Sequence, residues 1–179
     1  REHPGREPAA ALRRPAGMAE SCASTLRVLT VAGAAGVQIS DSGAGVWVRG
    51  SFASIAGSAI REFIESRGRA RPPVIVFARG AAHLLDDLAD LGADVVSLDW
   101  RVDLAEAAAR VGGRVSLQGN LDPTALLAPL PVIARGVREL LRAGRKARGH
   151  VLNLGHGVLQ TTPVEAVATF VRTAQEASG

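Results

Sequence analysis

The run Gly149-His150-Val151-Leu152-Asn153-Leu154-Gly155-His156-Gly157, with Thr161-Thr162-Pro163 close behind, decides how the chain folds. Its apolar opening reads as a short strand, Val151 to Asn153, and the glycines then break the pattern. Thr162, Pro163 and Glu165 combine a threonine cap, a first-turn proline and a capping box, the start of a last helix. The stretch is a strand, a loop and a helix, with His156 at the strand's outlet. Gly155 and Gly157 leave that imidazole uncrowded and let backbone come close to a bound group. Histidine titrates near neutral pH and both donates and accepts hydrogen bonds. A histidine satisfied by backbone within a tight loop would carry the same local signature, so both readings stand at this point.

The same unit repeats upstream. Apolar spacing predicts a helix from Ala23 to Ala35 closing at Gly36, a strand Val37 to Ser40, and, after Gly43 and Gly45, a helix from Ser54 to Ser66. Pro72-Pro73 introduces Val74-Ile75-Val76-Phe77-Ala78, an uninterrupted apolar run suited to a strand covered on both faces. Leu84, Leu85, Leu88 and Leu91 mark a helix ending at Gly92, and Asp94 to Asp99 is the next strand. Asp103 with Glu106 opens a helix to Val111 through a capping box. Val115 to Gln118 is a strand, Asp122-Pro123 a helix start, and Pro129 and Pro131 interrupt before a helix from Val132 to Ala147.

Five short apolar strands alternating with helices mean an α/β fold with a parallel sheet and right-handed crossovers. An open doubly wound sheet and part of a (β/α)8 TIM barrel both satisfy the pattern. Asp41-Ser42, Asp99-Trp100, Gln118-Gly119-Asn120 and Asn153 to Gly157 sit at or just beyond strand C-termini, and convergence from four consecutive units favours the partial barrel.

Length suits one domain: 179 residues can bury a sizeable core, and 47% hydrophobic content with only 3% aromatics assigns that core to Ala, Val and Leu. No run of about 18 apolar residues exists to span a bilayer. Cys22 is the one cysteine, which excludes an intrachain disulfide and a multi-cysteine zinc site and fits a reducing cytoplasm. Residues 1–22, rich in proline, glycine and arginine, read as a poorly ordered lead-in, and 23–179 as the folded part. The first residue is Arg1 and the one methionine Met18, which suggests a piece of a longer reading frame. A net charge of +4 points to an acidic partner or to arginine-rich coding.

Several familiar chemistries are missing. Gly33-Ala34-Ala35-Gly36 precedes a strand, so it lacks the strand-glycine-helix order of a dinucleotide loop. His3, His83, His150 and His156 have no metal-ligand spacing with one another or with Cys22, so no metal site is expected. Arg135, Arg138, Arg142 and Arg145 form one helical stripe, read as a solvated outer face ahead of a nucleic-acid surface. Asp99-Trp100 reads as a capping carboxylate and a packing indole.

Four segments then carry a resemblance. Val37-Gln38-Ile39-Ser40-Asp41-Ser42-Gly43-Ala44-Gly45, Asp94 to Trp100, Leu117-Gln118-Gly119-Asn120-Leu121-Asp122-Pro123 and Asn153 to Gly157 resemble, in order and spacing, four successive motifs of the uroporphyrinogen decarboxylase family. The likeness runs from about Ala23 to Ala177, the C-terminal half or slightly more of a family member.

The resemblance implies a (β/α)8 barrel, usually a homodimer, that removes four acetate carboxylates from uroporphyrinogen to give coproporphyrinogen, without metal or organic cofactor. A protonated pyrrole can itself accept the electrons released with carbon dioxide, so the substrate does what a cofactor otherwise would. Of the family's substrate-contacting positions, Ser42 and His156 map here, each toward a substrate carboxylate. Ser40 and Gly43 stand where the family usually carries phenylalanine and a bulky aromatic or histidine. The family's arginine-rich motif, the aspartate that receives the pyrrole N–H groups and a tyrosine belong to the N-terminal part; this sequence contains no tyrosine, so no catalytic residue is assigned and the chain alone is expected to be inactive. A non-catalytic porphyrin-binding paralogue is the alternative, and a corrinoid-linked methyltransferase of the same superfamily is disfavoured because Cys22 stands alone. Expected partners are the polyacidic tetrapyrrole and a second copy or a complementary fragment, with no nucleic acid and no membrane.

Overall fold

The computed structural model describes residues 21, 24–26, 28–66 and 72–178. The lead-in expected over 1–22, including Cys22, lies outside them apart from Ser21. Five strands, β1 (Val37–Asp41), β2 (Val74–Ala78), β3 (Val95–Ser97), β4 (Ser116–Leu121) and β5 (His150–Leu154), form one sheet in the order β1-β2-β3-β4-β5. Every pairing is parallel. Helices α1 (Ser58–Ser66), α2 (Leu85–Ala89), α3 (Leu104–Val111), α4 (Leu130–Gly144) and α5 (Val164–Ser178) follow the five strands in turn.

Sequential order is the barrel's topology: a doubly wound sheet would reverse its order at a switch point. Curvature agrees. Gln118 on β4 donates from Nε2 to Gln38 Oε1 on β1 at 3.0 Å. Three strand spacings of about 4.8 Å would hold those strands roughly 14 Å apart in a flat sheet, so the sheet curls around its concave face.

Register sorts the residues onto two faces. Ser40, Phe77, Ser97 and Gln118 form one row across β1 to β4 on the concave side. Ser97 and Gln118, in the middle of the curl, are buried, whereas Gln38, Ser40, Val151 and Asn153, on the outer strands, are exposed. The convex side carries the apolar residues, and Val74, Val76, Val96 and Leu117 pack with Leu84, Leu88, Leu104 and Val111 of the helical layer. A smaller cluster of Leu126, Ile133, Val137 and Ala166 sits beneath α4 and α5.

Several element boundaries move. The first helix, described at 24–26 and 28–31, gives way to a turn in which Gly33 takes φ +94°, so it closes at Gly33 and not at Gly36. Helical residues begin at Arg49, earlier than Ser54, and include a π-helical turn, Phe52–Gly57. β4 runs on through Gly119 and Asn120, which sequence patterning placed beyond its end; burial of Asn120 is satisfied by side-chain bonds. Pro129 and Pro131 start α4, because proline is tolerated where the first-turn N–H groups have no helical partner, and the helix ends at Gly144 instead of Ala147.

Capping is mixed. Asp103 accepts from the Glu106 N–H at 2.8 Å, as the sequence indicates. Thr162 instead accepts from the Leu159 N–H at 3.0 Å, and α5 begins at Val164.

Candidate functional site

The loops leaving the C-terminal ends of the strands make one rim, and the sequence explains how each is held. After β1, Asp41 Oδ1 accepts from the Gly43 N–H at 2.9 Å, a short side-chain turn that carries Ser42 at its tip. The rest of that loop leans on its neighbour: His83 Nε2 meets the Trp47 carbonyl at 2.8 Å, the imidazole donating. Ser42 is exposed, and no hydrogen bond engages it among the described residues.

After β3, Asp99 is only 2% exposed. Its carboxylate accepts from the Gly80 N–H at 2.5 Å and the Arg101 N–H at 2.9 Å, tying the loop after β2 to the loop after β3. The capping role expected of it belongs to Asp103. Buried Asn120 donates from Nδ2 to the carbonyls of Asp99 and Val102, at 2.8 and 2.6 Å, and so anchors the same loop from β4. The Asn120 amide group and the Asp99 carboxylate thus serve as a scaffold, each holding loop backbone in place.

Trp100 is what this scaffold presents. Its backbone abuts Gly155: a Cβ there would sit 2.7 Å from Trp100 Cα and 2.8 Å from Trp100 Cβ, so only glycine fits in the residue before His156. The Gly155 N–H donates to the Leu121 carbonyl at 2.8 Å, continuing the β4–β5 pairing to the rim. Gly157 has open space around it.

His156 then lies across the mouth of the curled sheet. Its ring meets Trp100 edge-on at 6.0 Å between centroids and Phe77 of β2 at 6.4 Å. Phe77 is the register neighbour of Ser40, two residues before Ser42, so the loops bearing Ser42 and His156 open onto the same rim. The other described histidines are satisfied by backbone: His83 by Trp47, and His150 by the Gly119 carbonyl at 2.7 Å. His156 has ring contacts and exposure but no hydrogen-bond partner among the described residues, which removes the reading of a loop histidine satisfied by backbone. An imidazole braced by two aromatic edges and left with both nitrogens free can donate to, or accept from, a ligand in the mouth.

Two contributors were not legible from sequence. Phe77 reads as one more residue of an apolar strand, yet its ring also meets His156. Arg101 stacks its guanidinium over the Trp100 ring, 4.2 Å from the centroid, and nothing in Trp-Arg spacing announces that. Among the described residues no cluster of histidine, cysteine or carboxylate side chains could hold a metal ion.

The family model described as "Uroporphyrinogen decarboxylase (URO-D)" matches residues 6–177, reaching into the stretch read as a lead-in. A uroporphyrinogen decarboxylase of Nocardioides sp. is 42% identical over 167 residues, covering 92% of this chain and 47% of that protein. One from Cupriavidus pinatubonensis is 41% identical over 160 residues, covering 86% and 44%. The chain therefore spans a little under half the length of the curated relatives it matches. Among solved structures, a methyltransferase from Methanosarcina mazei superposes with a TM-score of 0.78 at 23% identity, covering 90% of this chain and 48% of that one, a likeness of fold.

Proposed function

The chain belongs to the uroporphyrinogen decarboxylase family, and on that premise we propose that it supplies the Ser42 and His156 side of a site that decarboxylates uroporphyrinogen to coproporphyrinogen. The observation that carries the reading is the unpartnered imidazole of His156 at the mouth of a curled parallel sheet, with Ser42 on the same rim. A hydroxyl and an imidazole suit the acetate and propionate carboxylates of a polyacidic macrocycle, and the protonated imidazole makes the stronger, charge-assisted bond. Aromatic edges from Trp100 and Phe77 fix the ring before the ligand arrives, which lowers the ordering cost of binding.

The acid, the acceptor for pyrrole N–H groups and the rest of the wall come from elsewhere in this reading, which takes the working form to be a homodimer or an assembly with a complementary fragment, in the cytoplasm. No described helix is long and apolar enough to cross a membrane. A non-catalytic porphyrin-binding role is the second reading, since a hydroxyl and an imidazole on the rim suit holding carboxylates without themselves carrying out the decarboxylation.

The test incubates the 179-residue chain with reduced uroporphyrinogen, alone and mixed with a separately produced N-terminal half of the Cupriavidus relative. Binding by the chain, no product alone and coproporphyrinogen on mixing support the proposal. Binding without product in either arm selects the second reading, no binding in either arm ends both, and product from the chain alone overturns its expected incompleteness.

A further inference from the structure

At this rim the side chain of Arg101 is placed by two neighbours, Trp100 and Asp99. Its guanidinium carbon lies over the Trp100 ring, 4.2 Å from the centroid, and a single N–H, from Nη1, reaches Asp99 Oδ2 at 3.3 Å. The side chain stays 51% exposed although Asp99 beneath it is 2% exposed. The opposite side of the geometry is equally defined: the Trp100 ring that carries Arg101 also meets His156 edge-on.

A contact with the face of an indole holds a guanidinium without using its N–H donors, and Arg has five of them in a rigid fork that matches a carboxylate. One is engaged by Asp99, and no described residue takes the others. The carboxylate of Asp99 has two backbone N–H bonds of its own, from Gly80 and Arg101, so it serves as an anchor shared with the loops and leaves the fork available. A guanidinium held over an indole that also meets an imidazole without a hydrogen-bond partner among the described residues is preorganised for a multiply anionic ligand.

We propose that Arg101 is a further substrate-contact residue, binding a carboxylate of the ligand that His156 also engages, with Trp100 as the platform that spaces the two. The proposal rests on the tetrapyrrole reading above, and it adds the residue through which the chain favours ligands with more carboxylates over those with fewer.

Uroporphyrin and coproporphyrin, the stable oxidised forms with eight and four carboxylates, serve as probes in fluorescence titrations of the 179-residue chain. Arg101→Gln is expected to weaken uroporphyrin binding about tenfold or more, the loss of a charge-assisted hydrogen bond, and to narrow the preference over coproporphyrin. Arg101→Lys keeps the charge without the fork and should recover part of the loss. Arg138→Gln, on the exposed side of α4, should leave binding unchanged, and thermal melting should be the same for all four proteins. Wild-type binding that Arg101→Gln leaves intact overturns this proposal and spares the tetrapyrrole reading. Loss of binding in Arg138→Gln equal to that in Arg101→Gln also overturns it, since net charge alone would then be acting. A wild-type chain that binds no uroporphyrin overturns both.

Discussion

Gly155 and Gly157 flank one imidazole but answer to different constraints. At Gly155 the backbone of Trp100 occupies the place of a side chain, whereas Gly157 faces open space. Gly155→Ala must push two rim loops apart, and the expected cost is about 1–3 kcal/mol, the usual range for forcing a methyl group into a packed site. Gly157→Ala should melt within a degree or two of wild type. Thermal denaturation separates them, and equal melting temperatures would show that the Trp100–Gly155 contact yields easily. The sequence announced the two glycines and the histidine; which glycine is obligatory depends on a loop 55 residues earlier, and no local pattern carries that. Likewise Ser42 and His156 were visible as polar residues at strand ends, but the aromatic bracing of His156 needed β2 and β3 in place.

At the scale of elements, α2 and α3 are joined by a compact set of ion pairs. Arg110 donates to Asp86 Oδ2 from Nε and Nη2 at 2.9 and 2.8 Å, and Arg114 bridges Asp86 Oδ1 at 2.8 Å and Asp90 Oδ1 at 2.7 Å. The Arg110 and then the Arg114 hydrogen bonds hold the Asp86 carboxyl below its ordinary value, with slight burial opposing. A carboxyl lowered in the folded state stabilises the fold above its unfolded value of 3.8, and that contribution disappears as pH falls through the folded value. Asp86→Asn is therefore expected to melt below wild type at pH 7 and to approach it as pH drops under 4; a constant offset across that window would assign the effect to packing. The pairs are about a third exposed, so the effect is modest and shrinks further in salt. Helix positions were readable from apolar spacing, while this clip was not, because Asp86 and Arg110 are 24 residues apart.

Across the whole molecule, β1 and β5 each leave one edge unpaired among the described residues. α5 adds Val164, Val167 and Val171, exposed at 78%, 37% and 45% and spaced three and four residues apart on one helical face. Ala166, Thr169 and Thr173 lie on the buried side of the same helix. In a closed barrel an edge strand and the helix beyond it would be covered by the next unit. The expected outcome in sedimentation is self-association of the chain, replaced by a defined complex when the N-terminal half of a relative is added. Val167→Asp with Val171→Asp should weaken that complex more than tenfold, since burying two valines contributes a few kcal/mol. A clean monomer with a single sharp unfolding transition would count against an open barrel.

By itself the sequence determined the alternation of five strands and helices, the Asp103 cap and the polar strand ends, because periodicity, capping and turn chemistry act over a few residues. It also determined the family, through motifs that are contiguous in the chain. Tertiary structure alone decided that the sheet curls far enough for Gln38 to meet Gln118, that Asp99 binds loops together instead of capping a helix, and that Trp100 stands between His156 and Arg101. Apart from the neighbours Trp100 and Arg101, these are contacts between residues 19 to 80 positions apart, and such contacts exist only once burial of the convex apolar face has fixed the order and curvature of the strands.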